Sequence, residues 1–160
     1  ADEDIDMEEL DLYAMARTCV GMLEPSAEKH HVTISASGES CLICANRMMM
    51  EELLYNLCDN AIRYNNENGK VEVSVKKDKE HKVLSVKDTG IGISKEHQER
   101  IFERFYRVDK SHSRESGGTG LGLAISKDAV LAHRGFITVT STEGEGSCFL
   151  VKIPLNYIAQ

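Results

Sequence analysis

No stretch of this sequence approaches the ~18 consecutive apolar residues that a membrane-spanning helix needs. The first ten residues, ADEDIDMEEL, are acidic where a secretory signal would be basic and then apolar. Basic residues are outnumbered, 19 Lys and Arg against 26 Asp and Glu, for a net charge of -7. That balance excludes broad electrostatic attraction to nucleic acid or to an anionic membrane surface. Any anionic ligand must be met by a local basic group or a helix end. The five cysteines, Cys19, Cys41, Cys44, Cys58 and Cys148, are odd in number, which does not suit a disulfide framework. Cys41-x-x-Cys44 has no second CxxC and no His-x-x-x-His to complete a zinc site. It lies in the apolar run CLICA and reads as buried strand. A reducing cytoplasm is therefore expected. Internal repeats and low-complexity segments are absent as well.

What remains is an ordinary globular composition, 41% hydrophobic and 28% charged in 160 residues. A chain of this length forms one domain and buries about 70% of its extended surface. Residues 1–7 read as an acidic lead-in, 8–155 as the domain and 156–160 as a tail. Helical spacing of Leu10, Tyr13, Arg17, Val20 and Leu23 predicts a helix over 8–30, restarted or kinked at Pro25. Short strands are expected at 32–35 and 41–44, joined by a turn at Ser37-Gly38-Glu39. A second helix spans 46–65 with Asn46 as N-cap, ended by Asn66, Asn68 and Gly69. Period-two alternation marks strands at 70–76, 82–88, 136–141 and 147–153, the last two joined by the hairpin turn 143–146. A third helix covers 119–133, closed by His133, Arg134 and Gly135. The segment 90–118 has no long periodic element and reads as a lid or binding loop. This order predicts an α+β two-layer sandwich. A mixed, mostly antiparallel sheet of five or more strands is covered on one face by three helices.

Three features carry chemistry. On the helix over 46–65, Met50, Leu54, Leu57 and Ala61 fall within about 60° of one another and form a core stripe. Asn56, Asn60 and Arg63 share a second arc, with Tyr64 at the seam. An amide oxygen suits Mg²⁺, which takes its remaining oxygens from water and phosphate, and a guanidinium pairs with phosphate. The same arc on its own also reads as a solvated face. The second feature is Asp88-Thr89-Gly90-Ile91-Gly92-Ile93. Leu84, Val86 and Asp88 share the core face of their strand, so the carboxylate needs a donor there. An adenine amine could be that donor, whereas guanine presents a carbonyl. The third is Gly117-Gly118-Thr119-Gly120-Leu121-Gly122, which opens a helix whose bare N–H groups favour anions. It is neither a dinucleotide fingerprint nor a Walker A loop. Residues 94–118 hold six Lys or Arg and five Asp or Glu, a local relief from the global negative charge.

The segments 56–64 (NLCDNAIRY), 88–93 (DTGIGI), 101–109 (IFERFYRVD) and 118–123 (GTGLGL) together resemble the N, G1, F and G2 boxes of the catalytic ATP-binding domain of sensor histidine kinases. That domain belongs to the superfamily of gyrase, heat-shock chaperone, histidine kinase and MutL-like ATPases. The resemblance covers about residues 8 to 155, including the closing Gly144-Glu145-Gly146-Ser147. It implies an ATP site with Mg²⁺ on Asn60, Asn56 one turn before it on the phosphate side, and Arg63 reaching the phosphates where the family more often has lysine. Tyr64 would stack near the adenine, and Asp88 would read it, with Gly90, Gly92 and Ile93 shaping the pocket. Tyr106 and Arg107 would meet the nucleotide from the lid, Arg107 nearest the γ-phosphate, so Arg63 and Arg107 are the implied catalytic groups. Gly118, Thr119, Gly120, Leu121 and Gly122 would line the phosphates.

By the same resemblance, the phosphoryl acceptor is a histidine on a separate dimerisation and phosphotransfer domain, and a response regulator follows indirectly. None of the six histidines here is followed by the Glu/Asp-x-x-Asn/Thr-Pro signature. An isolated, monomeric catalytic domain that binds ATP without phosphorylating itself is expected, from a parent that can be membrane-anchored. Three other readings remain open: a gyrase- or chaperone-like ATPase, an anti-sigma-factor serine kinase, and a non-catalytic nucleotide sensor. The first needs a glutamate base where Asn56 stands.

Overall fold

The computed structural model describes residues 5–106 and 123–155. Its elements are β1 (Glu8–Asp11), α1 (Leu12–Lys29), β2 (Thr33–Gly38), β3 (Leu42–Ala45), α2 (Arg47–Arg63), β4 (Lys70–Lys77), β5 (His81–Asp88), the one-turn α3 (Lys95–Gln98), α4 (Leu123–Ala132), β6 (Phe136–Thr142) and β7 (Gly146–Pro154). Five strands form one sheet in the order β2-β4-β5-β7-β6, parallel between β2 and β4 and antiparallel elsewhere. α1, α2 and α4 pack against this sheet, and α2 packs against both α1 and α4. The α+β sandwich with a mixed, mostly antiparallel sheet is therefore as expected. Among the described residues no helix is long and apolar enough to cross a membrane.

Alternation sets which face is covered. Val71, Val73 and Val75 of β4, Leu84 and Val86 of β5, and Phe149, Val151 and Ile153 of β7 are all buried. They meet in register, Val73 opposite Val86 and Val86 opposite Phe149. The helices bury the complementary stripe: Ala16, Val20, Leu23 and Ala27 of α1, and Met50, Leu53, Leu54, Leu57, Cys58, Ala61 and Ile62 of α2.

The N-terminal region departs from expectation. Residues 8–11 are a strand, not the first turn of a helix, because Asp11 caps α1. Its Oδ1 accepts the N–H groups of Tyr13 at 3.0 Å and Ala14 at 3.4 Å. The same carboxylate accepts the Cys41 N–H at 3.0 Å and the Ser40 hydroxyl at 2.9 Å, tying the α1 cap to the start of β3. These bonds, the Cys41 amide foremost, hold the Asp11 carboxyl below the usual carboxylate range. α1 then runs through Pro25 without a break, since Val20, Leu23 and Ala27 bury the same stripe on both sides of it. β2 and β3 are not a hairpin. β3 pairs with β1 in a separate two-stranded sheet, while β2 pairs in parallel with β4. At Gly38 (φ +132°) a Cβ would lie 2.3 Å from the Val75 carbonyl oxygen, so the chain passes too close to β4 there for any side chain.

Other boundaries follow the sequence. Asn46 caps α2, its Oδ1 accepting the Met49 N–H at 2.9 Å. At the end of α4 the left-handed residue is Arg134 (φ 61°), not Gly135. Gly135 is required for space: a Cβ there would sit 2.4 Å from the Lys152 carbonyl oxygen of β7.

Candidate nucleotide site

Asp88 ends β5 on the core face, opposite Val71 on one side and Ser147 on the other. Its Oδ1 accepts two backbone N–H groups, from Gly90 at 2.8 Å and from Ser147 at 3.2 Å. Among the described residues Oδ2 has no hydrogen-bond partner, although the residue is only partly exposed. Burial pushes the carboxyl above its ordinary range, and the two amides pull it back. One oxygen is thus anchored by the fold and the other is left to accept from something else.

The turn after Asp88 is fastened to the end of α2. The Ile91 N–H donates to the Tyr64 carbonyl at 3.0 Å, and Asn66 Nδ2 donates to the Thr89 carbonyl at 3.1 Å. A Cβ on Gly90 would lie 2.4 Å from the Tyr64 carbonyl oxygen, so glycine allows this contact. The same turn meets the β6–β7 hairpin. The Gly144 N–H donates to the Ile91 carbonyl at 2.7 Å. Gly92 (φ +75°) passes the Thr142 carbonyl, which would be 2.2 Å from a Cβ. The Ile93 N–H donates to Ser141 Oγ at 2.8 Å, and Ser141 bonds Ser147 at 2.7 Å. Asp88, Gly90, Gly92 and Ile93 therefore form one braced turn at the C-terminal end of α2.

On α2 the expected polar arc is present beside the core stripe. Asn56 and Asn60 are half-buried on successive turns, and both Asn60 and Arg63 make interactions within the fold. Arg63 Nε donates to Asp59 Oδ2 at 2.8 Å. Asp59, legible as the i,i+4 acidic partner of Arg63, is not among the expected site residues. Asn56 also borders an open groove of about 850 Å³ between α1 and α2, which Ile125 of α4 lines from the other side. α4, which follows the glycine run in the sequence, packs against α2. Tyr106 lies on the α3 side, its hydroxyl bonded to His97 Nδ1 and its ring 4.5 Å from the Arg100 guanidinium carbon. Arg107, Gly118, Thr119, Gly120, Leu121 and Gly122 lie outside the described residues. Sequence reasoning missed Ser147, which carries no motif signal beyond its place after Gly146, and it missed His97 and Arg100 as neighbours of Tyr106.

A half-buried carboxylate at the end of a sheet and the glycine turns that follow it are thus fastened to the end of an amide-bearing helix. Residues 45–157 match the family described as histidine kinase-, DNA gyrase B- and HSP90-like ATPases, and the chain belongs to that family. It is 42% identical over 127 residues to the sensor histidine kinase RppB of Synechocystis, covering 78% of this chain and 28% of RppB. The chain thus spans little more than a quarter of the length of that relative. Among solved structures it is similar to the nucleotide-free catalytic domain of the histidine kinase ThkA, with a TM-score of 0.80 and 27% identity over 94% of this chain and 98% of that one. It is also similar to full-length ShkA in complex with AMPPNP, with a TM-score of 0.84 and 27% identity, over 100% of this chain and 33% of that one.

Proposed function

We propose that this chain is the catalytic ATP-binding domain of a sensor histidine kinase, which donates the γ-phosphoryl group of ATP to a histidine on a separate dimerisation and phosphotransfer domain. The observation that carries this reading is Asp88. One carboxylate oxygen is fixed by the Gly90 and Ser147 amides, and the other is open beside the end of the amide-bearing helix. An open carboxylate oxygen accepts from the exocyclic amine of adenine and repels the carbonyl of guanine. Gly90 and Gly92 let the base approach the backbone. The similarity to a chain solved with AMPPNP favours the same ligand class.

The phosphate end of the ligand falls to α2 and to residues 107–122. Asn60 would hold Mg²⁺ and Asn56 would face the phosphates. The amide oxygen of Asn60 suits magnesium, an ion that takes most of its ligands from water and phosphate. When bound, the metal would neutralise charge on the phosphate oxygens. Arg63, aligned by Asp59, would orient phosphate oxygens from the helix side, with Arg107 nearest the γ-phosphate and Gly118, Thr119, Gly120, Leu121 and Gly122 around the chain of phosphates. Tyr106 would meet the nucleotide from the lid. Tyr64 contributes its carbonyl to the turn and would place its ring near the adenine. Catalysis of this kind rests on positioning and charge neutralisation, with the attacking imidazole supplied by the other domain. A response regulator would then take the phosphoryl group from that histidine.

An ATP-hydrolysing role is disfavoured by Asn56, whose amide cannot take a proton from water. Titration calorimetry with ATP and GTP, with and without Mg²⁺, tests the reading. Micromolar or weaker binding of ATP and none of GTP is expected, lost in Asn60→Ala and Asp88→Ala. Unchanged affinity in both variants would remove the site assignment. Acid-labile phosphohistidine should form only when the acceptor domain is present.

A further inference from the structure

Tyr106 is held from three sides. Its hydroxyl hydrogen bonds to His97 Nδ1, the Arg100 guanidinium carbon lies 4.5 Å from its ring centroid, and its backbone N–H donates to the Glu103 carbonyl at 3.3 Å. Arg100 is itself fixed, its Nε and Nη2 donating to the Glu103 carboxylate at 3.1 to 3.2 Å. With the His97 proton on Nε2, where Glu96 Oε1 lies 3.7 Å away, Nδ1 accepts the phenol proton. The backbone bends to keep this arrangement. Phe105 adopts a left-handed conformation (φ 65°), which a bulky residue avoids, and it is 94% exposed. The chain thus turns an apolar ring into solvent while Tyr106 packs on the core. Strain of this kind persists where the surroundings over-determine it.

The next residue of the same helix reaches different partners. Gln98 Nε2 donates to the Ile93 carbonyl at 2.6 Å and to the Ser141 carbonyl at 3.1 Å. An amide nitrogen has two protons, and both are used. Ile93 closes the turn after Asp88. Ser141 Oγ accepts the Ile93 N–H and bonds Ser147, whose own N–H donates to Asp88. α3 is a single turn, so the bridge to the Asp88 turn and the bridge to Tyr106 are one peptide bond apart. Ile101 is buried and Phe102 packs edge-on against Phe149, which pins the chain between α3 and Tyr106 to the sheet.

We propose that His97 and Gln98 are positioning residues for the bound nucleotide. Gln98 fastens α3 to the turn that follows Asp88, and His97 passes that placement on to Tyr106. The carboxylate that reads the base and the tyrosine that meets the nucleotide are thereby held in fixed relation. Both residues act through others, Ile93 and Tyr106. This role rests on the nucleotide reading of Asp88 and Tyr106. A tyrosine already fixed loses less freedom when it meets a ligand, so affinity rises without a new contact. The chemistry also sets which replacements serve. Asparagine at position 97 puts an amide close to where the ring Nδ1 stands and can bond the phenol, whereas alanine cannot. Glutamate at position 98 has no proton to donate and sets a carboxylate against two carbonyl oxygens.

Titration calorimetry of the whole chain with ATP and Mg²⁺, beside thermal melts without nucleotide, tests this. His97→Ala and Tyr106→Phe should each weaken ATP binding roughly 3- to 10-fold, the range of one neutral hydrogen bond, with the melting midpoint unchanged. The double variant should lose no more than either single one, because both remove the same bond. His97→Asn should recover most of the loss. Gln98→Glu should weaken binding at least as much as Gln98→Ala. The proposal is overturned if either His97→Ala or Gln98→Glu binds ATP as the wild type does, or if the losses of His97→Ala and Tyr106→Phe add. It is equally overturned if His97→Asn is no better than His97→Ala, or if affinity falls only in step with the melting midpoint. Those results leave the nucleotide reading standing as long as the wild type binds ATP and Asp88→Ala does not. A wild-type chain that binds no ATP defeats both.

Discussion

The ring of His133 accepts the backbone N–H of Asn46 at Nε2, 3.0 Å away, while its Nδ1 donates to the Ala129 carbonyl at 2.7 Å. His133 is fully buried. The two bonds fix the neutral ring with its proton on Nδ1, and they staple the end of α4 to the cap of α2. His133→Ala should leave a buried donor unpaired and open a cavity. A loss of about 2–4 kcal/mol in urea unfolding is expected. A loss below about 0.5 kcal/mol would show that the staple contributes nothing.

Asp88→Asn separates recognition from folding. The amide can still accept from Gly90 and Ser147 through its oxygen, but it turns an NH₂ toward the adenine amine. Hydrogen bonds to charged groups contribute about 1.5–3 kcal/mol, so ATP affinity should fall roughly 10- to 150-fold. The carboxyl of Asp88 is raised in the fold, so its contribution to stability is present when protonated and is lost as pH rises through the folded value. The asparagine variant should therefore be at least as stable as wild type at neutral pH, as thermal melts would show.

The same shift sets a pH dependence on binding. The proposed recognition of ATP by Asp88 requires the ionised form. Affinity should decline with acidification at a pH above the ordinary carboxylate value of 3.8. Asp88→Asn should flatten that decline, which calorimetry across pH would read directly.

Asp11 gives the opposite sign. Its carboxyl is lowered in the fold, so its stabilisation is present above the unfolded value of about 3.9 and is lost as pH falls through the folded one. Asp11→Ala should cost about 1 kcal/mol at neutral pH, as for other N-caps, and the difference from wild type should vanish in acid.

Gly90→Ala should drive a methyl against the Tyr64 carbonyl and split the Asp88 turn from α2. A destabilisation of about 1–3 kcal/mol is expected, with weaker ATP binding. Equal stability and affinity in the variant would mean that this approach is not required.

Where a segment buries one face at a fixed period, the sequence was enough to place it. β4, β5, β6, β7 and α2 stand where alternation and the 3.6-residue period put them, and Asn46 caps α2 as its side chain suggested. The N-terminal pairing was not legible. Leu10 fits a helical stripe equally well, and its pairing opposite Ile43 of β3, together with the Asp11–Cys41 bond, between residues distant in sequence, decides that the helix starts at Leu12. The β2–β3 turn looked like a hairpin because local chemistry is silent about a parallel partner, β4, more than thirty residues on. At the site, Asp88 and its glycines were readable from their residue types. Ser147 was not, because Asp88 takes only its backbone N–H, which any residue but proline would supply, and its hydroxyl bonds Ser141 across a hairpin rather than within a motif.

Asp88 stands on the last rung of its ladder, between Val71 and Ser147, and its neighbour Lys87 points the opposite way. Because side chains alternate with a period of two, a one-residue slip of β5, as from adding or deleting a residue in the 78–80 turn before it, would swing Lys87 inward and put a cation where Asp88 stands. The base preference proposed for Asp88 would thus be a matter of strand phase, set some ten residues upstream in a turn outside the candidate site.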